Sequence, residues 1–507
     1  VLKSIGSTWV VTVVTILVVF IVTPFVIEVL GEEKYGIWLT ITALTGFLDL
    51  IRGGLPAATV KHLAEAVGAT NDRTRPAAIT KVVHSALYLY GFIVATCVVA
   101  GLGMWIAWRF LGRPVPPVLQ DVATVAFFIV VIKVSLGFVA HLPGAIMEAH
   151  EDFVARNTIL LGGVLVTNAL IFGLLSADAN LLYMAAAVTA GTLVEFVGNS
   201  FFAMRRYKGV SPGLSERDNT AVNELFHYSA WVLVLAAGSR LAFNTDAVVI
   251  STFDAYESVA FYNIANQIAL YTSEFLAAVA IVVMPRAARL RAAGDSEGLK
   301  KVFLQWSKVS TALALLVGMY LLFMGPEFLG FWITPEYKVE SGPSLQILIF
   351  SFLFFLPMRG VAIPILMAVG DVRVPALAYI GMGLLNVAIS VPLVLTFGIV
   401  GAAIGTAIPN VIFAALVFQL ACRETRVSVG RYLSYAVLKP LLGIVPVVGW
   451  LCLCRFVFDA EGFIGLLYSG VVTVGLFAVV FVAFVFRNDP YSDVWNHSRV
   501  RRFTGRG

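Results

Sequence analysis

Fourteen mostly apolar stretches, each near the roughly 20 residues that a membrane-spanning helix needs, follow one another along this chain with short gaps between them. The first seven are Ile5–Leu30, Gly36–Pro56, Ile79–Trp108, Val122–Met147, Thr158–Leu175, Leu181–Met204 and Leu225–Phe253. The second seven are Val259–Met284, Trp306–Trp332, Leu345–Val369, Val374–Phe397, Val400–Ala421, Tyr432–Val457 and Phe463–Phe486. Lipid offers no partner to a backbone N–H or C=O, so stretches of this length are expected to be helices. Composition agrees: 59% of the residues are hydrophobic and 13% charged, whereas soluble domains carry about 45–50% and 25%. The reading is an all-α polytopic membrane protein of about fourteen spanning helices, with no room for a large soluble domain. Ile5–Leu30 is too long for a signal-peptide core and lacks a small-residue cleavage site, so it reads as the first span.

Cations orient the chain, because lysine and arginine collect in cytoplasmic connectors. With the amino terminus inside, twenty-five lysines and arginines fall in inner connectors and tails. Only Lys34, Arg109, Arg113, Lys338 and Arg455 fall outside. One missed span would invert every later loop, so the asymmetry supports both the orientation and the count, with both termini cytoplasmic. The net charge of +5 is thereby explained without nucleic acid as a partner.

Arg52, Lys133, Arg240, Arg359 and Lys439 remain inside spans, together with Asp49, Glu195, Asp246 and Glu274. A charge at the bilayer centre costs about 2.5–3.5 kcal/mol on the insertion scale, so a wet interior is expected. Lys133 lies about 17 Å along its helix and Arg240 about 22 Å along its own. Four cations on four helices (Arg52, Lys133, Arg240, Arg359) would draw phosphate, which arginine grips as a fork and lysine as a point charge. Lys439 is shallow enough to snorkel and is left aside. Asp49 and Arg52, three apart on one face, could neutralise each other. Asp246 points away from the face that Arg240 and Asn244 share and is a candidate to bond a neighbouring helix. Glu195 and Glu274 read equally as helix-bonding groups or as ion carriers. Pro357 and Pro364 bracket Arg359, and Pro24, Pro143, Pro392, Pro409 and Pro446 interrupt other spans, which loosens those helices.

A faint duplication runs through the chain. Leu55-Pro56-Ala57-Ala58, leading through Gly68 and Asp72 to Lys81, parallels Met284-Pro285-Arg286-Ala287-Ala288, leading through Gly294 and Asp295 to Lys301. Ser7-Thr8-Trp9-Val10 parallels Ser229-Ala230-Trp231-Val232. A six-helix repeat follows, with boundaries at 1–215, 216–425, two extra helices over 426–486 and a basic tail over 487–507. Cys97, Cys422, Cys452 and Cys454 show no metal spacing, and no metal ligand set or cofactor motif occurs. There is no G-x-x-x-x-G-K-[ST] or H-E-x-x-H, and the longest outer connector, Gly325 to Ser344, is too short for a catalytic domain. A transporter rather than an enzyme is expected. Its energy would come from an H+ or Na+ gradient, the membrane potential or consumption of the product outside.

Leu30-Gly31-Glu32-Glu33-Lys34-Tyr35-Gly36-Ile37-Trp38, then Phe47-Leu48-Asp49-Leu50 and the run from Gly53 to Lys61, resemble the amino-terminal pattern of Wzx-type polysaccharide-biosynthesis flippases. These belong to the multidrug/oligosaccharidyl-lipid/polysaccharide exporter superfamily. Tyr228 to Asp246, Phe261-Tyr262-Asn263 and Pro285 to Asp295 are similar as well, so the likeness runs from about Ser7 to Ala421. The chain differs from the family at Arg52-Gly53-Gly54, and Lys133 and Arg359 match no motif.

The resemblance implies two six-helix bundles forming a V around an alternating cavity in a bacterial inner membrane. It implies a polyprenyl-diphosphate-linked oligosaccharide as cargo, flipped outward before a polysaccharide polymerase uses it. The diphosphate would meet Arg52, Lys133, Arg240 and Arg359, with Asp49, Asp246, Glu274 and Glu195 as coupling or gating acids. A lipid II flippase is the nearest alternative. A multidrug cation antiporter comes next, although acids rather than cations should then dominate the interior.

Overall fold

A computed structural model describes residues 2–68, 75–207, 213, 233–369, 373–487 and 489–491. Among these the chain forms helices and no strand. Ten helices are long and apolar enough to cross a membrane, eleven when the bent pair Leu233–Phe243 (α7) and Asp246–Phe253 (α8) counts as one span. Ser229 to Val232, half of one proposed repeat, lies outside the described residues, as do Asp72 and most of the basic tail.

The chain divides into two compact units: Val1–Arg240 with Ala247–Ala260, and Leu241–Asp246 with Phe261–Gly507. Unit 1 begins with α1 (Leu2–Leu48), which joins the first two expected spans across Gly31, where φ is +74°. Only glycine adopts that conformation without strain, so the helix changes direction there. A 3-10 turn, Asp49–Arg52, ends it, and Gly53 (φ +49°) releases the chain into α2 (Leu55–Val67). Met284-Pro285, the matching stretch of the expected repeat, lies inside an unbroken helix, α9 (Tyr256–Ala292). The two stretches therefore fold differently, because the Gly53-Gly54 pair has no counterpart before Pro285.

Unit 1 continues with α3 (Arg75–Leu111), α4 (Pro117–Ala149), α5 (Phe153–Leu175) and α6 (Leu181–Arg206). Helix α4 packs against α1, α2, α3, α5 and α6, and its buried Phe127, Val130 and Phe138 form the centre of the unit. Many side chains on the outer faces, such as Phe92, Val99 and Val197, are apolar and exposed, as lipid contact requires.

Unit 2 holds most of the rest: α9, α10 (Ser296–Trp332), α11 (Pro335–Glu340), α12 (Gly342–Pro357), α13 (Ile363–Val369) and α14 (Arg373–Glu424), then α15 (Val429–Tyr432), α16 (Lys439–Phe456) and α17 (Gly462–Val480). Helix α14 joins two expected spans across Gly398, φ +56°. A π turn, Met358–Ala362, links α12 to α13 and carries Arg359. Pro364 explains it: proline offers no N–H to the Gly360 carbonyl and crowds it, so Ile363 N–H reaches back to Met358 O instead. Helices α16 and α17 pack on α10 through a core that includes Leu315, Met324, Val447, Leu451 and Phe481.

Candidate functional site

In unit 1 a cavity of about 550 Å³ is walled by the Asp49–Arg52 turn, α2, α4, α5 and α6. Small residues keep it open. Gly53, Gly54, Ala57, Gly137 and Ala140 line it, and a Cβ on Gly137 would meet nothing within 4 Å. Its charged lining is Arg52, Lys133 and Arg156 against Asp49 and Glu195, with His141 between them. Lys133, Gly137 and His141 recur every four residues, with Ala140 three after Gly137, so one face of α4 presents them together.

Asp49 organises the mouth of the turn. Its Oδ1 lies 3.9 Å from Arg52 Nε, and its Oδ2 accepts from Arg240 Nη2 at 3.4 Å. In a 3-10 turn residues i and i+3 eclipse, which brings the first pair together. Arg240 reaches Asp49 because residue 46 is glycine: a Cβ there would stand 3.2 Å from Arg240 Nη1. The Arg52 guanidinium sits 6.0 Å from the Phe138 ring centroid, a weak cation–π contact. All three charged side chains are about one-third exposed, so water and ligands reach them.

Arg156 precedes the expected span Thr158–Leu175, but α5 starts at Phe153 and carries it into the cavity wall. Its Nε lies 3.0 Å from Glu148 Oε1, an ion pair whose N–H is not aligned as a hydrogen bond. His141, well inside α4, also lines the cavity. The missed signal for Arg156 was the helix start, since it lies just inside the first turn of α5.

In unit 2, Arg359 donates to Ser273 Oγ and Glu274 Oε1, both at 2.7 Å. Two of the sequence candidates therefore form one ion pair there. Asp246 is fully buried in a polar cage. Its Oδ2 accepts from Tyr262 Oη at 2.6 Å and Thr406 Oγ1 at 2.7 Å. Asn386 Nδ2 donates to Thr406 Oγ1 at 2.8 Å, and Ser390 Oγ stands 3.5 Å from Asn386 Oδ1. Asp246 Oδ1 is buried with no hydrogen-bond partner. A buried carboxylate with one oxygen bonded by hydroxyls and the other unbonded suits a proton or a small cation. Asn386 and Ser390, four apart on one face of an apolar helix, were the legible sign of this cage; Thr406 gave none. Among the described residues no group of three or more His, Cys, Asp or Glu side chains could hold a metal.

Residues 1–291 match the family model described as polysaccharide biosynthesis protein, and residues 238–392 match the one described as MatE. An uncharacterized membrane protein, MJ1068, of Methanocaldococcus jannaschii is 29% identical over 36% of this chain and 36% of its own length. A probable low-salt glycan biosynthesis flippase, Agl15, of Haloferax volcanii is 23% identical over 77% of this chain and 76% of that protein. A putative O-antigen transporter of Shigella flexneri is 22% identical over 78% and 91%. Among solved structures, the lipid II flippase MurJ in an inward closed conformation superposes with a TM-score of 0.71 at 14% identity, over 96% of this chain and 98% of that one. An inward-facing multidrug transporter of the MATE family gives 0.68 at 14% identity, over 80% and 94%.

Proposed function

The chain belongs to the polysaccharide biosynthesis protein family, whose model covers residues 1–291, and on that premise we propose that it is a flippase for a lipid-linked glycan. The proposed cargo is an oligosaccharide on a polyprenyl diphosphate, carried from the inner to the outer leaflet of the cytoplasmic membrane, with both chain termini inside. The names of the Haloferax and Shigella relatives support that class of cargo.

The observation that carries the reading is the unit 1 cavity: a 550 Å³ space in a largely apolar unit, with Arg52, Lys133 and Arg156 in its wall and Arg240 tied to its rim through Asp49. A diphosphate supplies the dense negative charge that such a wall stabilises, and arginine binds it through two parallel N–H groups. A cation-exporting cavity would need the opposite excess. Arg359, paired with Glu274 in unit 2, is proposed as a further phosphate-binding group, with Glu274 as its resting counter-ion. The cavity opens first to one leaflet and then to the other while the polyprenyl tail stays in lipid. Asp246 is the proposed coupling group, taking a proton or Na+ into its hydroxyl cage. Glu195, in the cavity wall, is the proposed gating acid. The product is then consumed by a polysaccharide polymerase on the outer side.

The test is a lipid extract from cells depleted of this protein, read by mass spectrometry with leaflet-specific glycan labelling. A polyprenyl-diphosphate oligosaccharide should accumulate on the cytoplasmic leaflet, and expression of Arg52→Ala or Lys133→Ala should fail to clear it. Accumulation of a peptide-bearing disaccharide lipid would give the lipid II reading instead. Unchanged lipids and surface glycan would overturn the flippase reading in favour of cation efflux.

A further inference from the structure

On the far side of α4 from the cavity lies a groove of about 490 Å³ between α3, α4 and α6. Every lining side chain but Ser200 is apolar. Val139, Leu142, Pro143 and Ile146 form its floor on α4, at offsets of three, four and seven residues, so they share one helical face. Counting 100° per residue, that face is opposite the one bearing Lys133, Gly137 and His141. The groove is confined to one end of the helices. Its α6 residues run up to Met204, and Arg205 and Arg206 follow at once in the last turn. Arg205 is held over the groove's own Phe201, with its guanidinium carbon 4.4 Å from the ring centroid. Val197, Phe201 and Met204 are more than half exposed, so the groove opens sideways to lipid.

We propose that this groove is a binding site for one anionic phospholipid of the inner leaflet, with an acyl chain along α4 and its phosphate between Arg205 and Arg206. An apolar trough alone would accept any hydrocarbon; the two arginines at its end, one oriented by Phe201, supply the complement to a phosphate. The cargo lipid is the other source of a phosphate on a hydrocarbon chain. It is disfavoured because a head group in the cavity would have α4 between it and the groove. The bound phospholipid backs the wall that carries Lys133 and His141, and it does so whether or not the flippase reading holds.

The full-length protein, purified in detergent, is exchanged into nanodiscs of phosphatidylcholine containing phosphatidylglycerol, and retained lipids are counted by native mass spectrometry after re-extraction. The wild type should keep one phosphatidylglycerol in preference to phosphatidylcholine. The Arg205→Ala/Arg206→Ala double variant, altered only at exposed side chains, should lose that preference by roughly tenfold or more. Ser200→Phe, which fills the trough and leaves both arginines, should lower retention of both lipids. Equal retention of phosphatidylglycerol by the wild type and the double variant would overturn the proposal. So would displacement of the retained lipid by added polyprenyl phosphate, which would give the groove to the cargo.

Discussion

In the proposed mechanism Asp49 is the counter-ion that an incoming phosphate displaces. It holds Arg52 and Arg240 at once, yet each contact is one-third exposed and long, so each contributes about 1 kcal/mol or less to stability. A counter-ion held that loosely can be displaced. Asp49→Asn should therefore change unfolding free energy by no more than about 1 kcal/mol, while raising the affinity for polyprenyl phosphate roughly fivefold and slowing its release. Thermal unfolding and a lipid-binding titration on the purified protein read the two effects, and an unaltered affinity would show that the carboxylate does not compete. Gly46→Ala is the steric counterpart. Its Cβ would crowd the end of a flexible side chain, so Arg240 should shift off Asp49 with little loss of stability, and the salt dependence of phosphate-lipid binding should change. The charge-and-depth reading of sequence was enough to find Arg52, Lys133 and Glu195, because burying an ion in an apolar stretch is costly wherever it occurs. It could not find Arg156, whose place depended on a helix starting a few residues early, or the Thr406 hydroxyl, which costs little to bury and so leaves no mark in composition.

Helices α16 and α17 are fastened to α10 at both ends. Near one end, Lys308 of α10 is fully buried and donates to Val485 O at 2.8 Å and to the carboxylate of Asp489, which also accepts from Tyr435 Oη at 2.6 Å. The ammonium lies 4.5 Å from the Tyr435 ring centroid. Near the other end, buried Glu327 pairs with Arg455 and with Lys338, and Lys338 also bonds Glu461 at 2.5 Å. Removing one member of a buried pair strands the other, so Lys308→Met or Asp489→Ala alone should cost about 3–5 kcal/mol, whereas Lys308→Met/Asp489→Leu together should recover much of it. Unfolding midpoints of the three variants check this, and an additive double variant would exclude the pairing. Burial pushes the Asp489 carboxyl up, but hydrogen bonds from Lys308, Tyr435 and the Tyr491 amide outweigh it and hold the carboxyl below its ordinary value of 3.8. With the folded value depressed, the clasp contributes its full stability above the ordinary carboxylate range and loses it as pH falls through the depressed value. Unfolding midpoints followed downward from pH 5 should drop only below about pH 4 in the wild type, and Asp489→Ala should remove that drop. Nothing in the sequence marks Lys308 as paired, because its partner lies far along the chain, past the last helix. The breaks at Gly31 and Gly398 were easier to anticipate, each falling at the seam between two apolar stretches.

At the scale of the molecule, the unequal placement of lysine and arginine ties helix count to orientation, and a labelling experiment separates them. Helix α10 runs thirty-seven residues from Ser296 to Trp332, about 55 Å, which exceeds a hydrocarbon core of about 30 Å, so its cation-rich start extends past the bilayer. In a background freed of Cys97, Cys422, Cys452 and Cys454, a cysteine at Ser296 should react with an impermeant maleimide only after permeabilisation. Cysteines at Glu336 and Asp459 should react in intact cells. Reaction of the 296 and 336 sites from the same side would mean that α10 does not cross. Reaction of all three with sides exchanged would keep the helix count and invert the orientation, against the pull of the cytoplasmic arginines. The outcome bears directly on transport. Arg156 and Glu148 lie near the ends of α5 and α4 that share a face with Arg205, so the side on which that face lies is the side from which the Arg156 end of the cavity is approached. With that end in the cytoplasm, phosphate would pass Arg156 before Lys133, which is deeper along α4. Arg156→Ala should then slow loading several-fold while leaving the affinity of the deeper site within about a factor of two, a split that single-turnover uptake of a fluorescent polyprenyl-phosphate lipid into proteoliposomes resolves.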